Sequence, residues 1–273
     1  AQWCMFSEPT EEAPVSDAAV LRTDAGGVAT LTLNRPAKFN ALSSELLDAL
    51  LAALDGVAAD PTVRVLVIAA AGKAFCPGHD LKEMLANRSR PFVAALFERC
   101  SAVTLRLTQL PQPVIARVHG IATAAGCQLV AACDLAVASS AARFATSGIN
   151  LGLFCATPGV ALSRNVSRKR ALEMLMTGEF IDAATARDWG LVNRVVEPAA
   201  LDAAVDELAV ALLEKPAAAL ASGKRFFYRQ LDMELAPAYE LASRVITDGM
   251  LAPEALEGVG AFLEKRKPQW SAQ

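Results

Sequence analysis

One arrangement occurs twice in the first half of the chain, and it restricts the fold more than any other feature. Val67-Ile68-Ala69 leads through small residues to Gly78, and a helix-like segment follows at Leu81. Val114-Ile115-Ala116 leads through Gly120, Ala122, Ala124 and Ala125 to Gly126, and a helix-like segment follows again. A buried strand that turns on small residues into a helix is the repeating unit of an α/β fold with parallel pairing. Each helix start exposes N–H groups without intrahelical partners, in the positive potential of the helix dipole. Two such starts facing one another can hold one carbonyl oxygen between two N–H groups, the design of an oxyanion hole. The same spacing also suits ordinary strand–helix turns packed on small residues, which are common.

The rest of the chain fits around this unit. Residues 28–34 alternate small or apolar residues with Thr, a strand pattern. Residues 42–57 repeat leucine at helical spacing, with Gly56 as the expected stop. Short apolar runs at 63–71, 114–118 and 135–139 predict buried strands, and 91–110 and 125–133 predict helices. Residues 182–189 predict a helix ended by Gly190, and Val195-Val196-Glu197-Pro198 reads as a boundary. Beyond it the pattern is helical at 201–214, 217–230, 236–248 and 254–265. The chain thus divides into a lead-in at 1–19, an α/β core at 20–197 and a helical C-terminal region at 198–273.

Composition narrows the functional classes. The net charge is −3 and the pI near 5.6, without the concentrated basic face that nucleic acid requires. Mean hydropathy is positive at +0.32, yet Gln128, Asp134 and Arg143 interrupt or bound the most apolar stretch, so no membrane span is expected. The lead-in carries Glu8, Glu11, Glu12 and Asp17 and no basic residue, unlike a secretory signal or a transit peptide. The six cysteines form no C-x-x-C pair and there are two histidines, so no metal site is expected. Cysteines in apolar surroundings suit a reducing compartment: the cytoplasm or, with a presequence removed, the mitochondrial matrix.

Several segments resemble one family. Leu33-Asn34-Arg35-Pro36 followed by Asn40-Ala41-Leu42 is similar to the N-terminal signature of enoyl-CoA hydratases and isomerases. Phe75-Cys76-Pro77-Gly78-His79-Asp80-Leu81-Lys82 resembles their first glycine motif, and His119-Gly120 with Ala124-Ala125-Gly126-Cys127 resembles the second. Thr177-Gly178 through Gly190-Leu191-Val192, and Phe262-Leu263-Glu264-Lys265-Arg266-Lys267, resemble later landmarks. The likeness runs in order over nearly the whole chain after Val20. The resemblance implies a crotonase (ClpP-like) fold, a spiral of ββα repeats whose helical C-terminal region forms homotrimers, often doubled to hexamers. It implies an acyl-CoA thioester as ligand, with coenzyme A as part of the substrate and no permanently bound cofactor.

The resemblance also implies site residues. The thioester carbonyl would sit between the N–H groups of His79 and Ala125, and Pro77, which has no N–H, lies two residues before the first donor. Gly78 and Gly126 would shape the binding turns, and Lys38 and Lys265 would meet CoA phosphates. The two positions that carry glutamate in the family hold Gln128 and Gly148. Glutamine orients water but does not carry a proton near neutral pH, and glycine brings no side chain. Hydration, which needs an activated water and a proton for the α carbon, is therefore expected to be impaired. Other chemistry on a CoA thioester, such as hydrolysis or decarboxylation, and binding without catalysis are the alternatives. Around the site, Asp80 with Glu83 reads as a helix capping box, and the His79 and His119 side chains read as structural. Cys127, Cys155, Thr146, Ser147 and Thr157 are candidates to line the pocket.

Overall fold

The computed structural model describes residues 17–270, so most of the lead-in lies outside the described residues. Nine strands run as β1 (Val20–Ala25), β2 (Val28–Leu33), β3 (Val65–Ala70), β4 (Val114–Val118), β5 (Ile121–Thr123), β6 (Leu135–Ser139), β7 (Arg143–Ala145), β8 (Ile181–Asp182) and β9 (Arg194–Val196). Eleven α-helices follow them in turn: α1 (Ser44–Ala59), α2 (Leu81–Ala86), α3 (Arg90–Gln109), α4 (Ala125–Ala132), α5 (Ala156–Leu162) and α6 (Arg168–Thr177), then α7 (Ala183–Asp188), α8 (Leu201–Leu213), α9 (Ala217–Gln230), α10 (Leu235–Met250) and α11 (Pro253–Leu263).

Six strands form one sheet in the order β1-β2-β3-β4-β6-β9, antiparallel at β1–β2 and parallel elsewhere. Strands β5, β7 and β8 form a second, smaller sheet. The period-two alternation of a strand sends successive residues to opposite faces. Leu66 and Ile68 join α1 and α3 in the main core, whereas Val65 and Val67 meet Leu201, Val205 and Ala209 of α8 on the other face. Burial of each such aliphatic side chain contributes roughly 1.5–3 kcal/mol, which is why α8 lies on the sheet rather than away from it.

The helix α1 runs past Gly56 to Ala59, a correction to the expected stop. Gly56 keeps ordinary helical backbone there, because Leu54 and Val57 on either side are buried and hold the last turn on the core. Residues 194–196 form β9, paired in parallel with β6, where the pattern suggested only a boundary. Asp80 caps α2, accepting from Lys82 N–H at 3.0 Å and Glu83 N–H at 3.2 Å. The reciprocal half of a capping box is not made. The Glu83 carboxylate reaches instead across the chain to Ser44 N–H at 3.0 Å, and Asp80 N–H donates to the Leu42 carbonyl.

A buried polar network joins α9 to the core. Lys224 Nζ lies 2.6 Å from Asp134 Oδ2 and donates to the carbonyls of Leu107 at 2.8 Å and Gln112 at 3.0 Å. The Asp134 carboxylate also accepts from Val114 N–H at 2.7 Å and Tyr228 O–H at 2.8 Å. All three ammonium hydrogens and both carboxylate oxygens are thereby used.

Candidate functional site

The two small-residue turns meet. Leu42 pins the first from one side, donating to the Gly78 carbonyl at 2.8 Å and accepting from Asp80 N–H at 3.2 Å. In this parallel bridge the intervening His79 N–H faces away from Leu42. Thr123 N–H donates to the Cys76 carbonyl and Ala124 N–H to the Ala145 carbonyl, both at 3.0 Å, which seats the second turn on the first. Ala124 then takes φ 50° and ψ −120°, a strained conformation for a residue with a Cβ, and α4 begins at the next residue. A Cβ on Gly78 would lie 3.3 Å from the Ala125 nitrogen, so the two helix starts are in contact. Neither the His79 nor the Ala125 N–H donates to a carbonyl in the loops and turns of the described residues.

His79, Ala124, Ala125 and Gly148 line one cavity of about 780 Å³. Its walls are mainly apolar, and no aspartate or glutamate is among the described residues that line it. One wall is the face of α2, where Leu81, Met84 and Leu85 recur at helical spacing, continued by Arg88. Phe97 of α3 and the segment from Leu153 to Pro158 complete it. Ser147, Cys155 and Thr157 lie in the lining as the motifs suggested, whereas Cys127 and Thr146 are buried outside it. The sequence reading missed the α2 wall and Arg88. Its signal was present in the spacing of Leu81, Met84 and Leu85, which puts all three on one helical face, with Arg88 just past the helix end.

The two positions without glutamate differ in kind. Gln128 is 3% exposed and turned to α3, its Nε2 donating to Thr104 Oγ1 at 2.8 Å, and it is not among the lining residues. Gly148 does line the cavity, but a Cβ there would lie 2.7 Å from both Cys155 Sγ and the Leu153 carbonyl oxygen. Gly126 is packed rather than open, since its Cβ would lie 2.0 Å from the Cys76 carbonyl oxygen. Lys38 Nζ lies 3.9 Å from Asp80 Oδ2, at the N-terminal end of α2, with its side chain 64% exposed. Lys265 follows α11, exposed, and is not among the residues lining the cavity of its own chain.

His79 is among the residues lining the cavity. Its ring meets Phe97 edge-on at 4.8 Å, and Nε2 is buried without a partner. Burial pushes its pKa down to about 4, against a weaker upward pull from Glu83. The unfolded chain therefore binds this proton between about pH 6.5 and 4 while the folded chain does not, so stability rises with pH across that window. NMR titration is expected to place the His79 midpoint near 4, with a His79→Gln variant showing a shallower loss of thermal stability from pH 6.5 to 4. A midpoint near 6.5 contradicts this. His119 is structural, its Nε2 lying 2.9 Å from the Gly72 carbonyl oxygen. Burial raises the Cys155 thiol pKa, with Gly148 N–H offsetting part of the shift.

Paired helix starts over an apolar cavity, set on a spiral of strand–turn–helix units, define a crotonase-fold protein. The chain belongs to the enoyl-CoA hydratase/isomerase family, whose sequence model matches residues 23–273. It is 46% identical over 247 residues to the human mitochondrial enoyl-CoA hydratase domain-containing protein 3, covering 90% of this chain and 81% of that one. The crystal structure of human enoyl Coenzyme A hydratase domain-containing protein 3 superposes with a TM-score of 0.89 at 43% identity, covering 92% of this chain and all (100%) of the other. An enoyl-CoA hydratase from Mycobacterium smegmatis superposes with a TM-score of 0.91 at 58% identity, covering 93% and 99%. Among the described residues no helix is long and apolar enough to cross a membrane, and no group of three His, Cys, Asp or Glu side chains could hold a metal ion.

Proposed function

We propose that the chain binds acyl-CoA thioesters and polarises the thioester carbonyl between the N–H groups of His79 and Ala125, without the acid–base pair that hydration uses. The observation that carries this reading is a cavity lined by both residues and, among the described residues, by no carboxylate. A donor placed in such a hole is worth ~10²–10³ in rate where charge develops on the oxygen. The strain held at Ala124 aims the first N–H of α4 and fits a site organised before ligand arrives. Lys38, beside the cavity's α2 end, takes the nucleotide phosphates, and Lys265 serves a neighbouring copy. Apolar side chains exposed on and after α10 and α11, among them Ile246 at 71% and Phe262 at 82%, support a homotrimer or hexamer that covers them. Five buried free cysteines among the described residues suit work in a reducing compartment, the cytoplasm or the mitochondrial matrix.

The test is loss of the enoyl absorbance of crotonyl-CoA, with binding followed separately by ligand-induced thermal stabilisation. Binding is expected, with hydration at least about a hundredfold below that of an enzyme holding both carboxylates. Gln128→Glu is expected to restore less than about a tenth of that deficit, because its side chain is turned from the cavity. Turnover at the ordinary family rate, or no stabilisation by any acyl-CoA, overturns the reading.

A further inference from the structure

The cavity is unbalanced in charge. Among the described residues lining it, Arg88 is the formal cation, with no anion facing it. Arg88 uses Nε to donate to the Leu85 carbonyl at 3.0 Å, and among the described residues no ion pair engages its two terminal nitrogens. His79 is neutral at physiological pH and so adds no charge. Arg88 is solvent-exposed among the lining residues, and a guanidinium with free terminal N–H groups takes a carboxylate or phosphate in a two-point grip.

Position decides between these two anions. The Lys38–Asp80 pair marks the N-terminal end of α2, next to His79 and the paired helix starts. Arg88 lies beyond the C-terminal end. A helix of this length, six residues, spans about 9 Å at the usual rise per residue. With the nucleotide phosphates at Lys38, as proposed above, Arg88 stands at the opposite end, past Leu81, Met84 and Leu85. On that reading, an acyl chain that leaves the carbonyl along Leu81, Met84 and Leu85 brings its far end to Arg88.

We propose that the cavity takes acyl-CoA thioesters whose chain ends in a carboxylate, and that Arg88 is the residue that selects for that end. This inference rests on the thioester-binding reading above. The guanidinium adds affinity for the charged end, while the apolar wall serves charged and uncharged chains alike.

Calorimetric binding of adipoyl-CoA, hexanoyl-CoA and free CoA tests it, in the full chain and in Arg88→Met and Arg88→Lys variants. Adipoyl-CoA is expected to bind at least about tenfold more tightly than hexanoyl-CoA. Arg88→Met, which keeps the apolar stem, is expected to reduce that preference below about twofold. The readout is the ratio of the two thioester affinities within each variant, because a methionine in the lining alters hexanoyl-CoA binding as well. Arg88→Lys should keep part of the preference as a single-point contact. If Arg88→Met weakens free CoA and both thioesters equally, Arg88 reads a CoA phosphate and the proposal is wrong. A preference for hexanoyl-CoA in the unaltered chain also ends it while leaving thioester binding intact. Failure of all three ligands to bind ends both readings.

Discussion

Gly126→Ala is expected to destabilise the chain by about 3 kcal/mol or more and to weaken acyl-CoA binding at least tenfold. The added methyl carbon would lie 2.0 Å from the Cys76 carbonyl oxygen, 2.7 Å from its carbon and 2.9 Å from Cys76 Cβ. Two of those three atoms are backbone, and the carbonyl is already committed to Thr123 N–H. No side-chain rotation relieves the clash, so the start of α4 must move off the first turn. That motion opens the gap between Gly78 and Ala125, beside the N–H groups of the proposed hole, and stability and binding fall together. For a chain of this size the loss corresponds to a fall of roughly 6–12 °C in Tm. Thermal unfolding and calorimetric titration with one acyl-CoA check it. A variant with unaltered Tm and affinity would show that the turns are not interlocked.

Lys224→Met is expected to cost about 3–5 kcal/mol, with a fall of roughly 6–20 °C in Tm. The substitution leaves the Asp134 carboxylate buried with Val114 N–H and Tyr228 O–H but no cation. It also orphans the carbonyls of Leu107 and Gln112. Most of the penalty belongs to the unpaired charge rather than to the net worth of the pair. The double variant Lys224→Met with Asp134→Asn is therefore expected to regain part of the lost Tm. If the two substitutions simply add, the carboxylate is not paying a desolvation cost and the account fails.

Much of the fold was legible because its signals are local. The apolar runs at β4 and β6 and the leucine spacing of α1 announce themselves in a few residues. The helices α8 to α11 follow uninterrupted periodicity. What escaped was set by partners distant in sequence. Strand β9 has three residues, and only pairing with β6 distinguishes it from a loop. Asp134 and Lys224, 90 positions apart by their numbering, carry no shared motif, and their pairing appears only once α9 is laid on the core. At the site, the motifs located the turns and the missing acids. They did not show that Gln128 faces Thr104, that the His79 ring meets Phe97, or that Arg88 lies in the lining. Each of these depends on side-chain direction, which spacing alone leaves open.

The closure of Leu153 and Cys155 over position 148 bears on how this chain can change over generations. A descendant acquiring an acid there must first re-route the strand of chain behind it, and that step brings no chemistry of its own. Selection working through single substitutions meets a dip before any reward.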